Sequence, residues 1–199
     1  DGGDDVIRTA GLINVNADTG STARSVSFVV VGGSRADLHA GADSVAIGVE
    51  GGAGANDIAN SGDIFVLAKS RAVGFGASIQ GGSVSTTAKS GADTVSRSTA
   101  IGITGSDERD TIVNTGLIDA EARAGSVIVN TASNGGTWVK SQTNSHVFSY
   151  MTAKGIDAGL SDDDLVINEG TIRVDLTSGG SNERTRADSR SGYGSVISI

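Results

Sequence analysis

The stretch Asp110-Thr111-Ile112-Val113-Asn114-Thr115-Gly116-Leu117-Ile118-Asp119-Ala120-Glu121-Ala122 places small apolar residues at alternate positions on both sides of one glycine. The same frame surrounds Gly11, Gly62 and Gly170, at intervals of 51, 54 and 54 residues. Self-similarity with a period of this size marks a chain built from stacked repeats.

Aligned on the glycines, six residues upstream stand Asp5, Asn56, Asp110 and Asp164, and four upstream stand Ile7, Ile58, Ile112 and Val166. Two upstream are Thr9, Asn60, Asn114 and Asn168. Downstream come Ile13, Ile64, Ile118 and Ile172, then Val15, Val66, Ala120 and Val174, then Ala17, Ala68, Ala122 and Leu176. The residues between are variable and mostly polar, as with Asn14, Asp119 and Arg173. Alternation of period two is the mark of a strand with one buried and one wet face. Phe65 and Leu67 interrupt it on the outer side of the second repeat.

A second frame closes each unit: Ala46-Ile47-Gly48-Val49, Ala100-Ile101-Gly102-Ile103, Ala153-Lys154-Gly155-Ile156 and Val196-Ile197-Ser198-Ile199. Glycine pairs punctuate the units at Gly32-Gly33, Gly81-Gly82 and Gly135-Gly136, and early in the shorter fourth unit at Gly179-Gly180. Length changes at turns are what a stacked array tolerates.

Composition agrees. With 30 Gly, no Pro, no Cys and seven aromatics in 199 residues, bulky core material is scarce. Helical periodicity is absent, and no apolar run is long enough to span a membrane as a helix. One repeat buries only a thin apolar stripe, about 1.5–3 kcal/mol per enclosed Ile or Val. Ordering its backbone costs about 1–2 kcal/mol per residue. A lone unit therefore cannot stand, whereas in-register stacking sets Ile on Ile and Asn on Asn. The fold expected is all-β, a single parallel β-solenoid or β-helix domain over residues 1–199. Its repeats run over residues 1–51, 52–105, 106–159 and 160–199. Each repeat is either one wide rung or two to three ordinary coils; four single rungs would make a disc about 19 Å thick.

At a solenoid corner, a file of side-chain amides can satisfy backbone groups that no sheet ladder reaches. That reading fits Thr9, Asn60, Asn114 and Asn168. The glycine two residues later suits a tight bend at positive φ.

Gly155-Ile156-Asp157-Ala158-Gly159, then Asp162-Asp163-Asp164 and Val166-Ile167-Asn168-Glu169-Gly170-Thr171-Ile172, resembles the repeats of secreted bacterial β-helix proteins. Autotransporter passengers and large surface adhesins carry similar units. The resemblance implies a right-handed coil, an extracellular or cell-surface location, and a structural or adhesive role. Fold alone does not give function.

The stretch 51–58, Gly-Gly-Ala-Gly-Ala-Asn-Asp-Ile, is similar to the nonapeptide that binds calcium in toxin-type β-rolls, but here the match recurs once per repeat rather than back to back. No cofactor is required. The alternative is Ca²⁺ held between Asp5, Asn56, Asp110 and Asp164, whose oxygens would stack about 4.8 Å apart. The plainer reading makes these turn residues that accept local backbone N–H groups.

Catalysis is not expected. His39 and His146 are read as lying in different columns without an acid at a useful interval, and there is no cysteine nucleophile. Polysaccharide-degrading β-helix enzymes use carboxylate clusters with aromatics. Asp162, Asp163 and Asp164 near Arg173 are the nearest counterpart. The third unit instead gathers Trp138, His146, Phe148, Tyr150 and Met151. These either fill a wider core or cover a strand face, or they form a contact patch for a neighbouring subunit or a glycan, since aromatics and Met are enriched where surfaces meet.

A formal charge of −8 argues against nucleic-acid and anionic-membrane partners. Neither end shows a polar cap, and Ile199 aligns with Val49, Ile103 and Ile156, which lead into the next acidic loop. Copies joined end to end would nearly keep the phase, so the expectation is either a segment of a much longer passenger or copies stacked end to end as a filament. Val6 and Ile199 are therefore expected at contacts between copies, in a linear stack or a trimer. The function expected is a stiff fibre, stalk or filament. An adhesin passenger that binds glycans or host surfaces is the alternative, and a polysaccharide-degrading β-helix enzyme the second.

Overall fold

The computed structural model describes residues 3–81, 87–135, 139–160, 163–179, 183–191 and 194–198, with side chains through residue 179 except Val139. Each of the first three repeats makes one wide rung of three strands. The first has β1 (Val6–Thr9), β2 (Leu12–Val29) and β3 (Ser34–Glu50). The second has β4 (Asp57–Asn60), β5 (Asp63–Gln80) and β6 (Thr87–Thr104). The third has β7 (Thr111–Asn114), β8 (Leu117–Asn134) and β9 (Val139–Asp157). The fourth contributes β10 (Leu165–Asn168), β11 (Thr171–Ser178), β12 (Glu183–Ser191) and β13 (Gly194–Ser198).

Equivalent strands pair in parallel, in the orders β1-β4-β7-β10, β2-β5-β8-β11 and β3-β6-β9. The apolar columns aligned on the corner glycines stack as expected: Ile13 on Ile64, Ile64 on Ile118, and Ile118 on Ile172. The chain is a parallel β-solenoid whose rung is a flattened loop. One short strand closes one end, and two long strands of about 60 Å face each other.

The core is concentrated beside the short strands. There Ile58, Ile64, Val66, Ile103, Ile112 and Ile118 form a buried cluster with Ala46, Ala68, Ala100, Ala120 and Ala122. Two glycine files set its shape. A Cβ on Gly62, Gly116 or Gly170 would collide with the backbone carbonyl of Gly11, Gly62 or Gly116 in the preceding rung. None of these corner glycines has positive φ, so the expected reason for them is corrected: the constraint is close stacking of backbones, not a left-handed bend. Gly48, Gly102 and Gly155, in the closing frame, leave room for the side chains of Ile64, Ile118 and Ile172.

Away from this cluster the interior is made of Ala, Ser, Thr and Gly. Ser70 meets Ser98 at 2.8 Å and Ser34 meets Ser78 at 2.7 Å across the two facing sheets. Ser44 donates to the Ala17 carbonyl and Ser126 to the Phe148 carbonyl, each at 2.9 Å. Facing sheets ordinarily stand about 10 Å apart, too far for a serine to reach the opposite backbone. Small residues draw the sheets together until hydroxyls bridge them. Thr94 is fully buried in this layer, and its hydroxyl has no partner among the described residues. Thr94→Val is expected to raise stability by about 1 kcal/mol, read by chemical denaturation, because an unpaired buried polar group is removed at nearly constant shape.

The fourth unit departs from the repeat. β11 follows β8 only from Leu117 to Ala124. β12 then runs antiparallel to β9 along Val139–Val147, and β13 antiparallel to β8 along Asn130–Asn134. The alignment of Val196-Ile197-Ser198 with the closing frames is thereby corrected, since Val196 pairs with Ala132. β11 ends at Ser178 after 8 residues, against the 18 of β8. Ile199 lies outside the described residues.

Candidate functional site

Two polar files run the height of the solenoid, and both have a direction. Thr9 donates to Asn60 Oδ1 at 2.6 Å, Asn60 Nδ2 donates to Asn114 Oδ1 at 2.7 Å, and Asn114 Nδ2 donates to Asn168 Oδ1 at 2.7 Å. Each asparagine also donates to the carbonyl of the glycine two residues later, at 3.0–3.2 Å. The expected corner ladder is present.

In the second file the backbone N–H of each residue donates to the side chain of its equivalent one rung on. Asp5 donates to Asn56 Oδ1 at 3.3 Å, Asn56 to Asp110 Oδ1 at 2.8 Å, and Asp110 to Asp164 Oδ1 at 2.8 Å. Asp110 is fully buried and also accepts from Asn56 Nδ2 and Ser106 N–H. Three N–H donors thus satisfy the Asp110 oxygens inside the fold. The four residues considered for Ca²⁺ thus form one file whose side-chain oxygens accept N–H groups in three of the four rungs. Among the described residues, no group of three or more His, Cys, Asp or Glu is arranged to hold a metal.

The outer face of β6 and β9 carries the third feature. On β9, Gln142, Asn144, His146, Phe148 and Tyr150 alternate outward. The Phe148 and Tyr150 rings are nearly parallel, 12° apart with centroids at 6.3 Å, and His146 lies 6.4 Å from Phe148. Arg97, one rung back, sits 5.5 Å from the Tyr150 centroid and 3.4 Å from Asp43. The third-unit bulk is therefore surface rather than core at Phe148 and Tyr150. Trp138 lies outside the described residues.

The histidine expectation is corrected here. His39, Asp93 and His146 occupy one column, with Asp93 Oδ1 2.7 Å from His146 Nδ1 and Asp93 Oδ2 3.5 Å from His39 Nε2. The signal lay in the closing frames: each of the three stands nine residues before Gly48, Gly102 or Gly155. Alignment on the corner glycines did not reach that far. The adjoining columns are Asp37–Gly91–Asn144 and Gly41–Val95–Phe148, so among the described residues no hydroxyl or thiol stands beside the His–Asp pair on this face. Over Gly91 a cavity of about 620 Å³ opens, lined by Arg35, Asp37, Lys89, Gln142, Asn144 and His146 among others.

Elsewhere the outer faces hold ordinary ion pairs. Asp57 lies below the usual carboxylate range through its hydrogen bond to Arg8, and Glu121 likewise through its bond to Arg123. Both lie on the outer surface and are partly exposed, and such solvent-screened pairs add little stability. Val6, 69 % exposed, lies in the outward column of Asp57, Thr111 and Leu165.

Compared with known protein families, curated proteins and solved structures, the chain matches none.

Proposed function

We propose that this chain is a structural solenoid segment that builds a stiff fibre or stalk by end-to-end stacking of copies, on the bacterial exterior as its repeats' resemblance suggests. One observation carries this reading: the two polar files end on unused groups that match each other. Among the described residues, the Asp5 carboxylate accepts nothing and the Asp164 N–H donates to nothing. Asn168 Nδ2 has no further amide to donate to, and Thr9 Oγ1 is free to accept. A copy placed with its first rung on another's β10 and β11 continues both files with the polarity they already have.

The apolar core is open at the same two places. Ile7, Ile13 and Val15 are only partly covered, and Val166, Ile172, Val174 and Leu176 are 38–57 % exposed. The rung is about 60 Å wide against a height of about 19 Å, so end rungs form an unusual share of the whole. Unpaired strand edges of this length recruit other chains unless protected.

Electron microscopy and sedimentation of the purified chain test the proposal. Copies are expected to associate into rods that lengthen with concentration. Gly11→Ala is the matched control. A Cβ at Gly11 has nothing within 4 Å in one copy, yet in a stack it would meet the Gly170 carbonyl as the Gly62 Cβ would meet that of Gly11. The variant is expected to fold normally and to remain unassembled. Monodisperse single particles for the parent chain at high concentration, or rods formed equally well by Gly11→Ala, overturn the stacking proposal.

A further inference from the structure

We infer that the fourth rung holds a groove for an extended strand of another polypeptide, added in parallel to β9 along residues 151–157. The inference stands on the fold of the fourth unit and not on stacking. In each lower rung a closing strand fills this place: residues 44–50 of β3, 98–104 of β6 and 151–157 of β9, in parallel register with one another. The fourth unit puts its chain elsewhere. β12 pairs with β9 only along residues 139–147, and β13 pairs with β8 along residues 130–134. Among the described residues, no strand lies on β9 to the corner side of Val147.

The ladder stops in mid-series at this edge. Gly51 N–H donates to the Thr104 carbonyl at 2.9 Å and Gly105 N–H to the Asp157 carbonyl at 2.7 Å. Ala158 N–H, next in that column, meets no such carbonyl among the described residues. The closing glycines end the same way. A Cβ on Gly48 would strike the Gly102 carbonyl and one on Gly102 the Gly155 carbonyl, whereas one on Gly155 has only Ile172 side-chain atoms as its nearest neighbours. A sheet edge with free main-chain groups beside apolar pockets takes up an added strand, main-chain bonds supplying affinity and the pockets specificity.

The walls and the lower rungs together state what fits. Ile118 and Ala120 are fully buried behind the closing strand of their rung, while Ile172 and Val174 in the same columns are 38 % and 43 % exposed. Ala153 and Ile156 are only partly buried, where Ala100 and Ile103 are fully so. The strands already in this file face the interior with Ser or Met, then Ala, Gly, and Val or Ile, as in Ser98, Ala100, Gly102 and Ile103. Between the alanine and the glycine an outer position holds Ile47, Ile101 or Lys154. A copy stacked on β10 and β11 sets its own β3 two strand spacings above β9, about 10 Å, and so spans the groove without filling it. The ligand is therefore a separate extended segment with small apolar residues at alternate positions.

The test titrates the full chain into a fluorescently labelled peptide of residues 97–105, Arg-Ser-Thr-Ala-Ile-Gly-Ile-Thr-Gly, followed by anisotropy. Saturable binding is expected. Ile103→Asp in the peptide is expected to weaken it about tenfold or more, because a carboxylate would enter the apolar wall. Ile101→Lys in the peptide, which copies the residue of the third unit, is expected to leave it unchanged. In the chain, Val174→Asp is expected to weaken binding of the parent peptide about tenfold. Val174 is partly exposed, and unchanged circular dichroism would show that the variant folds; if it does not fold, the two peptide substitutions decide alone. Absence of saturable binding, as when the chain's own terminal residues fill the groove, overturns the inference. So do equal affinities of the Ile103→Asp and Ile101→Lys peptides, or indifference to Val174→Asp in the folded variant. Rod formation is read separately by microscopy, so failure here leaves the stacking result intact, and the reverse holds too.

Discussion

Gly116→Ala is expected to destabilise the fold by about 3 kcal/mol or more, while Gly11→Ala, in the same column and the same local sequence frame, stays within about 0.5 kcal/mol of the parent. The difference comes from the neighbouring rung alone. A Cβ on Gly116 drives into the Gly62 carbonyl, part of a backbone fixed by the bond from Thr115 N–H to Asn60 O at 2.8 Å and by the long β5–β8 ladder. Backbone locked on both sides cannot yield by a few tenths of an ångström as a side chain would. Gly11 has no rung before it among the described residues. For a chain of this size a loss of about 3 kcal/mol lowers the thermal midpoint by about 6–12 °C. Melting curves of the two variants, measured below the concentration at which the chain associates, decide the matter. Equal losses would mean that the glycine serves its own backbone conformation, not the stack.

Where sequence reading succeeded and where it failed follows from the range of each physical signal. The columns from Asp110 to Ala122 were readable because apolar residues alternate there, and alternation reports one buried face directly. Beyond Ala122 the inward residues of β8 include Ala124, Ser126, Asn130 and Asn134, all buried. Polarity no longer marks the interior when two sheets pack closely enough for serines to bridge them. The long arms of the rung were therefore hidden. For the same reason the His39–Asp93–His146 column escaped notice: it lies on the outer side of the arm, where residue identity varies freely and only the register counted from Gly48, Gly102 and Gly155 reveals it. Glycine proved ambiguous in another way, since close approach and positive φ leave the same letter in a sequence. The turnover of the fourth unit was foreshadowed only by its short length and early glycine pair.

Asn114→Asp is the second substitution with a large expected effect, and it carries a pH signature. Asn114 is fully buried; its amide donates to Asn168 Oδ1 at 2.7 Å and to the Gly116 carbonyl at 3.2 Å, and its oxygen accepts from Asn60 at 2.7 Å. A carboxylate keeps the bond from Asn60 but turns an oxygen toward two acceptors, with no cation beside it. The expected cost at neutral pH is about 3–5 kcal/mol, the range for an uncompensated buried charge. Burial disfavours the charged form, so this carboxyl titrates above the unfolded value of about 3.9. Above that value the unfolded chain releases the proton while the folded chain retains it, and the penalty grows with pH until the folded group ionises too. As pH falls below about 4 both states are protonated, and a carboxylic acid restores one of the two lost donors. The stability gap between Asn114→Asp and the parent should therefore narrow on acidification. Asn114→Leu removes the ladder without adding a charge, and its gap should stay flat. Denaturation of all three chains across pH 3–8 separates the cases, because titration of every other carboxylate cancels in the difference. A gap for Asn114→Asp as flat as that for Asn114→Leu would show that position 114 reaches water, and the directional amide file would lose its role in holding one rung to the next.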